Sequence, residues 1–201
     1  MSQQYFTSNP TSESRPEQFE AWLLDQKLSF HTDSGVFSRD AVDYGTRVLL
    51  SSLPPLSGRV LDLGCGWGAI GVTIGKKYPD IQLIMGDVNE RALSLSRKNL
   101  KENGVSNAEV VLSDAFSAID GEFDFIITNP PIRTGKQVIY AMFDTAHQHL
   151  KPGGKLFIVI RKQQGAESAL KHLKSVFFRA EMINRDKGYW IIECEKGGEA
   201  E

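Results

Sequence analysis

Arg59-Val60-Leu61-Asp62-Leu63-Gly64-Cys65-Gly66-Trp67-Gly68-Ala69-Ile70-Gly71 is the stretch that decides the fold. Residues 59–63 read as an apolar strand interrupted only by Asp62, the pattern of a strand buried on both faces. The glycines let the chain turn sharply, and residues 69–77 carry helical spacing. Working outward, the unit recurs. Residues 82–87 are a strand, and 90–103 a helix closed by Gly104. Residues 109–112 and 123–128 are strands, and 137–150 a helix stopped by Pro152 and Gly153. Residues 155–160 are a strand and 166–177 a helix. Strands over 179–184 and 189–195 flank the turn Asp186-Lys187-Gly188 and must be antiparallel. The alternation predicts an α/β, doubly wound, mostly parallel sheet with right-handed crossovers and an antiparallel C-terminal hairpin.

On the N-terminal side, residues 1–16 are polar, include Pro10 and Pro16, and read as a flexible leader. Residues 17–58 are expected to pack on the core as a hairpin and helix. Phe19, Trp22, Leu23, Leu24, Leu28 and Phe30 fit a hairpin turning near Asp25 and Gln26, with a short helix over 19–24 as the competing reading. Asp40 reads as the cap of a helix carrying Ala41, Val42, Tyr44, Val48 and Leu49, stopped by Pro54 and Pro55. Residues 59–196 form the core, and 197–201 an acidic tail.

The length of 201 residues suits about one domain, and 41% hydrophobic with 24% charged residues is a globular composition. With 23 basic against 25 acidic residues the formal charge is −2, so any nucleic-acid role needs a local basic patch. Two cysteines, Cys65 and Cys194, exclude a disulfide framework and a Cys-only metal cluster. His31, His147, His149 and His172 lack ligand spacing, so no metal is expected. The apolar runs fall far short of the ~20 residues of a membrane span. The first residues lack a signal-peptide layout, and the expected location is cytoplasmic with no membrane partner.

The glycine loop bears two readings. Gly66, Gly68 and Gly71 spell G-x-G-x-x-G, so a dinucleotide site is one. Asp87, ending the next strand, suits a ribose hydroxyl in either case. Asp62 separates them, because a carboxylate beside a pyrophosphate repels it, whereas the sulfonium and ammonium of S-adenosylmethionine suit it. Its bland alternative is a loop-organising acceptor for backbone N–H groups. Asp114, in Ser113-Asp114-Ala115-Phe116 after the third strand, is placed to accept from an adenine amino group.

The fourth strand runs into Thr128-Asn129-Pro130-Pro131-Ile132. Two prolines remove two donors and stiffen the loop, so its carbonyls are expected to face outward unpaired. An asparagine amide oxygen beside such a carbonyl presents two acceptors at fixed spacing. That pair suits a planar –NH₂ group, holding both hydrogens and aiming the nitrogen lone pair at an electrophile.

Gly64-Cys65-Gly66, Asp87, Asp114 and Asn129-Pro130-Pro131 together resemble a class I S-adenosylmethionine-dependent methyltransferase of the Asn-Pro-Pro, amine-modifying group. Gly35-Val36-Phe37-Ser38, Asp43-Tyr44-Gly45 and the run Arg185-Asp186-Lys187-Gly188-Tyr189-Trp190 narrow the resemblance. They are similar to the catalytic half of bacterial 16S ribosomal RNA guanine-N2 methyltransferases of the small-subunit methyltransferase C type. The resemblance runs from about Gln18 to Lys196. It implies a seven-stranded Rossmann-like sheet and S-adenosyl-L-methionine as cofactor. The cofactor residues it implies are Phe37, Ser38, Gly64, Gly66, Asp87 and Asp114, and Asp62, Cys65, Val88, Ala115 and Asn129 beside them complete the expected cofactor site. Asn129, Pro130 and Pro131 would hold the target amine, and Ile132, Arg133 and Lys136 would meet the substrate. Longer members carry an additional N-terminal domain, and their position equivalent to Ile132 is usually aromatic.

The implied reaction is methyl transfer to an exocyclic amine, guanine N2 of 16S ribosomal RNA, with ribosomal RNA or the small subunit as partner. The rivals sharing Asn-Pro-Pro are glutamine methylation of release factors and N6-adenine methylation. A silent cofactor-binding RNA module and a nicotinamide dehydrogenase are rivals of other classes. Cys65 sits in the glycine loop, so its thiol is expected to pack there and not to act as a covalent nucleophile. Arg133, Lys136, Arg161 and Lys162 follow strand ends and would form a basic rim for phosphates.

Overall fold

The computed structural model describes residues 13–36, 38 and 41–198. Its first elements are an antiparallel hairpin, β1 (Glu17–Leu23) and β2 (Gln26–Thr32), turning through Leu24 and Asp25. Both turn residues have positive φ, 49° and 62°, as a two-residue type I′ turn requires. Helix α1 (Tyr44–Ser52) follows. Asp43 is its cap, accepting from the Thr46 N–H at 3.1 Å. The helix expected from Asp40 therefore starts later, because Asp43 satisfies the free donor of the first turn; Asp40 lies outside the described residues.

Seven strands build the central sheet: β3 (Arg59–Leu63), β4 (Gln82–Asp87), β5 (Ala108–Leu112), β6 (Phe123–Thr128), β7 (Leu150–Arg161), β8 (Arg179–Asp186) and β9 (Tyr189–Glu195). Their order is β5-β4-β3-β6-β7-β9-β8. The pairs from β5 to β7 are parallel, and β9 runs antiparallel to both β7 and β8. This is the doubly wound α/β sheet with its antiparallel C-terminal hairpin. One boundary differs. β7 starts at Leu150, which pairs with Phe123 before the register jumps to Phe125 and Lys155. Pro152 and Gly153 sit in that irregularity, so they bulge the strand instead of separating it from the helix.

Alternation along each strand sorts the core onto two faces. Val60, Ile127, Phe157 and Val159 join one apolar cluster with α1, α2 (Ala69–Lys77), α3 (Glu90–Glu102) and the hairpin. Leu61, Ile126, Leu156, Ile158 and Ile160 join the other, with α4 (Lys136–Gln148) and α5 (Ala166–Val176). The hairpin is tied to α3 by two asparagines one turn apart. Asn99 brackets the backbone of His31 at 2.7 and 3.0 Å, and Asn103 that of Ser29 at 3.0 and 2.8 Å. These side chains occupy polar groups of β2 that would otherwise form an open edge. Trp67 is 3% exposed and packs edge-on against Phe19 and Phe30.

Candidate active site

Parallel strands bring their C-terminal ends to one edge of the sheet, and a cavity of about 1250 Å³ opens there. The glycine loop lines one side. Gly64 and Cys65 both donate to the Gly86 carbonyl at 2.9 Å, pinning the loop to β4. Gly64 and Gly66 have φ of +72° and +55°, and a Cβ on either would meet nothing within 4 Å. Both line the cavity, so a side chain there would fill space open to a ligand.

Asp87 supports the loop from β4. One carboxylate oxygen accepts from the Gly66 N–H at 2.8 Å and the other from the Asn89 N–H at 2.9 Å. Each keeps a lone pair for a hydroxyl donor. Burial raises this carboxyl above its ordinary range, against the pull of those N–H groups. Asn89 caps α3 and donates to the Gly35 carbonyl at 3.1 Å, while Arg91 donates to Ser34 at 2.8 Å. The β2–α1 loop is thereby tied to the cavity, which Val36 and Ser38 line. The Ser38 hydroxyl donates to the Ala41 carbonyl. Phe37 lies outside the described residues.

Asp62 is placed differently from the expected direct contact. It is 0% exposed, and the cavity lining does not include it. Its Oδ2 accepts from the Gly71 N–H at 2.8 Å, bracing the loop from below, and its Oδ1 has no partner. Burial pushes the carboxyl up to about 7 despite the Gly71 N–H, and the Asp87 charge adds to the rise. Val88, Asp114 and Ala115 do line the cavity. Ala115 takes φ +47°, held by the Ser113 hydroxyl donating to its carbonyl at 2.8 Å. Beside them Phe116 stacks on His149, ring centroids 4.6 Å apart, and both reach the cavity.

Asn129 stands at the end of β6, half-buried. Its Nδ2 donates to Asp43 at 3.3 Å and to the Thr46 hydroxyl at 3.1 Å. A carboxylate only accepts, so this pairing fixes which end of the amide faces α1 and turns the oxygen away from it. The Pro130 carbonyl is not unpaired as expected. It accepts from the Ile132 N–H at 2.9 Å around Pro131, an inverse γ-turn with φ −76° and ψ 73°, and retains one lone pair. Pro130, Pro131, Ile132 and Arg133 line the cavity. Lys136 does not. It opens α4, and its ammonium lies over the Tyr140 ring one turn on, 5.3 Å from the centroid.

Asp43 and Thr46 escaped the sequence reading as site residues, and so did the ring of Tyr189, which lines the cavity with Arg161. S-adenosylmethionine, the group the resemblance implies, fits what is present. The open faces of Gly64 and Gly66 leave room for its chain, and Asp87 offers acceptors to its ribose. The orphaned Asp62 oxygen leaves a polar atom without a partner beneath the loop. Among the described residues no three His, Cys, Asp or Glu side chains are grouped to hold a metal.

Comparison with known proteins places this geometry. The model of the methyltransferase small domain matches residues 27–193. The chain is 42% identical over 200 residues to YbxB, an uncharacterised protein of Bacillus subtilis, covering 98% of this chain and 100% of that one. It is 34% identical over 206 residues to the ribosomal RNA small subunit methyltransferase C of Vibrio parahaemolyticus, covering 96% of this chain and 58% of the relative. This chain thus spans little more than half the length of that relative. Among solved structures, the T. thermophilus 16S rRNA N2 G1207 methyltransferase in complex with AdoMet and guanosine aligns with a TM-score of 0.82 at 27% identity. That alignment covers 93% of this chain and 52% of the other. A sheet of this order, a glycine loop braced by the buried Asp62 and the cavity-lining Asp87, and an Asn-Pro-Pro strand end agree with the match, and the chain belongs to the methyltransferase small domain family.

Proposed function

We propose that this protein is an S-adenosylmethionine-dependent N-methyltransferase that modifies guanine N2 in 16S ribosomal RNA, acting in the cytoplasm on the RNA or the small subunit. The observation that carries the reading is the fixed amide of Asn129. With Nδ2 held by Asp43 and Thr46, the amide oxygen is the end left for a substrate. The Pro130 carbonyl, one residue on, keeps a lone pair. Two acceptors on a stiff loop hold the two hydrogens of an exocyclic amine and aim its lone pair into the cavity.

Bound S-adenosylmethionine supplies an electrophilic methyl whose departure leaves a neutral thioether. The chain's own task is then placement. The loop from Gly64 to Gly66 and Asp87 orient the donor, while Asn129 and Pro130 orient the acceptor amine for in-line attack. Positioning of this kind is worth several powers of ten in rate without a strong base. The amine sheds its proton once the new C–N bond has formed. The names of the Vibrio and Thermus relatives support ribosomal RNA as the substrate class.

Transfer of labelled methyl groups into free 16S RNA, small subunits, transfer RNA and release factor tests the reading. The expected result is label in 16S RNA or small subunits, recovered as N2-methylguanine. Label in release factor alone would replace it with glutamine methylation, which shares the Asn-Pro-Pro geometry.

A further inference from the structure

On the β7–β9 side of the cavity lies a stack that the reaction itself does not use. Arg161 and Tyr189 are direct register partners across β7 and β9. The Arg161 guanidinium lies over the Tyr189 ring, 4.8 Å from its centroid. Tyr189 in turn meets Tyr44 at 5.9 Å between centroids, and the Lys187 ammonium lies 4.6 Å over the Tyr44 ring. The order is cation, ring, ring, cation, running from the cavity to the tip of the β8–β9 hairpin.

The stack is built in, not incidental. The Tyr44 hydroxyl donates to Asp186 at 2.5 Å, which ties α1 to that hairpin. Gly45 is buried, and a Cβ there would come within 2.6 Å of the Tyr189 ring, so only glycine lets the ring lie against α1. Lys187 occupies the turn with φ +45°, where Asn or Gly is the easier choice. Both ends of the stack open on solvent. Arg161 and Tyr189 line the large cavity. Arg161 and Lys187 also line an adjoining recess of about 460 Å³ with Lys162 and Glu167. Glu167 offsets Lys162 at 3.5 Å, whereas Arg161 and Lys187 lie on ring faces.

We propose that Arg161, Tyr189, Tyr44 and Lys187 form a track for the single-stranded RNA flanking the modified base. The inference rests on the ribosomal RNA reading above. A neighbouring base stacks on the Arg161–Tyr189 pair, and its phosphates run past Lys187. Single strands are held in this way, by aromatic and guanidinium planes for bases and cations for phosphates. The protein as a whole is acidic, so such attraction has to be local. The track also supplies rings where the Asn-Pro-Pro loop has none, since Ile132 follows Pro131. A glutamine-bearing loop of a protein would present neither planar bases nor phosphates to it.

The test is fluorescence anisotropy with a single-stranded RNA of about twelve nucleotides, uridines around one guanine, titrated at several salt concentrations. Lys187→Gln and Arg161→Gln are each expected to weaken binding about three- to tenfold, and Lys187→Gln, which removes the phosphate contact, to flatten the slope of log K against log salt by about 0.7. Lys171→Gln, an exposed cation of α5 that lines neither the cavity nor the recess, should bind like the wild type, while the melting temperature checks each fold. Wild-type binding with both cation variants unchanged in affinity and slope would overturn the track and leave the RNA reading standing. A wild-type protein that binds no RNA and labels only release factor would overturn both.

Discussion

The carboxylate of Asp43, at the start of α1, accepts from the side-chain amide of Asn129, at the end of β6, 3.3 Å away. The same Asp43 oxygen caps α1 through the Thr46 N–H. One side chain thus starts a helix and orients the residue proposed to hold the target amine. We expect Asp43 and Thr46 to act as positioning residues.

Asp43→Ser separates the two roles. Serine caps a helix as well as aspartate does, so stability should change by less than about 0.5 kcal/mol. Its hydroxyl is too short to reach Asn129, and kcat should fall about tenfold, the worth of one charge-assisted hydrogen bond. Asp43→Asn restores an acceptor of the same length and should recover most of that rate. Thr46→Val, which removes the other acceptor at nearly constant volume, should also lower kcat more than it raises KM. A kcat unmoved by all three substitutions in steady-state kinetics would remove the orienting role.

Asp62 makes a pH prediction whose sign follows from its raised value. Unfolded, the carboxyl titrates near 4; folded and buried, at about 7. Between those values the folded protein holds a proton that the unfolded chain has released. Stability from this group is therefore full below pH ~4, falls as pH rises to ~7, and is constant above, by at most about 4 kcal/mol. Asp62→Asn cannot ionise, and its amide oxygen still accepts from Gly71. Melting curves from pH 5 to 8 should show the variant gaining on the wild type as pH rises. Parallel curves would mean that Asp62 is ionised throughout.

Arg133 and Lys136 looked equivalent as sequence, both following the Asn-Pro-Pro loop. The structure puts Arg133 on the cavity and folds Lys136 onto Tyr140. Arg133→Ala should weaken RNA binding and flatten its salt slope by about 0.7, the share of one single-strand phosphate contact. Lys136→Ala should leave the slope as it was. Equal effects in a salt titration would show that Lys136 swings to the rim in solution.

What was legible in the sequence was local. The strands around Val60 and Leu61 announce themselves because neighbouring residues must satisfy two different apolar faces, and Gly64 to Gly68 can only be a turn. The helix cap was less so, since Asp40 and Asp43 both precede the same apolar spacing. Pairings between distant segments were not legible. Asn129 meets Asp43 across 86 residues, and neither periodicity nor composition links them. The Arg161–Tyr189 contact depends on the register of β7 with β9, which a hairpin turn alone does not set. The placement of Asp62 was open for another reason: a carboxylate at a strand end serves a ligand or its own loop with the same residue type, and only its burial decides.

Two glycines of the same loop should fail in opposite ways when replaced by alanine. At Gly66 the backbone is left-handed, so alanine costs about 1–2 kcal/mol of stability, and its Cβ enters open cavity space. The protein should fold, yet bind S-adenosylmethionine at least about tenfold more weakly, because the methyl group occupies room the donor needs. At Gly71 the backbone is helical, and a Cβ would stand 2.6 Å from the Met85 sulfur, which is buried in the core. Overpacking there costs about 1–3 kcal/mol, and the damage lies beneath the loop, away from the cavity. Urea unfolding should therefore find Gly71→Ala the less stable of the two or its equal, while isothermal titration finds Gly66→Ala the weaker binder by a clear margin. If Gly66→Ala binds the donor like the wild type, the open face of the loop is not where the donor lies.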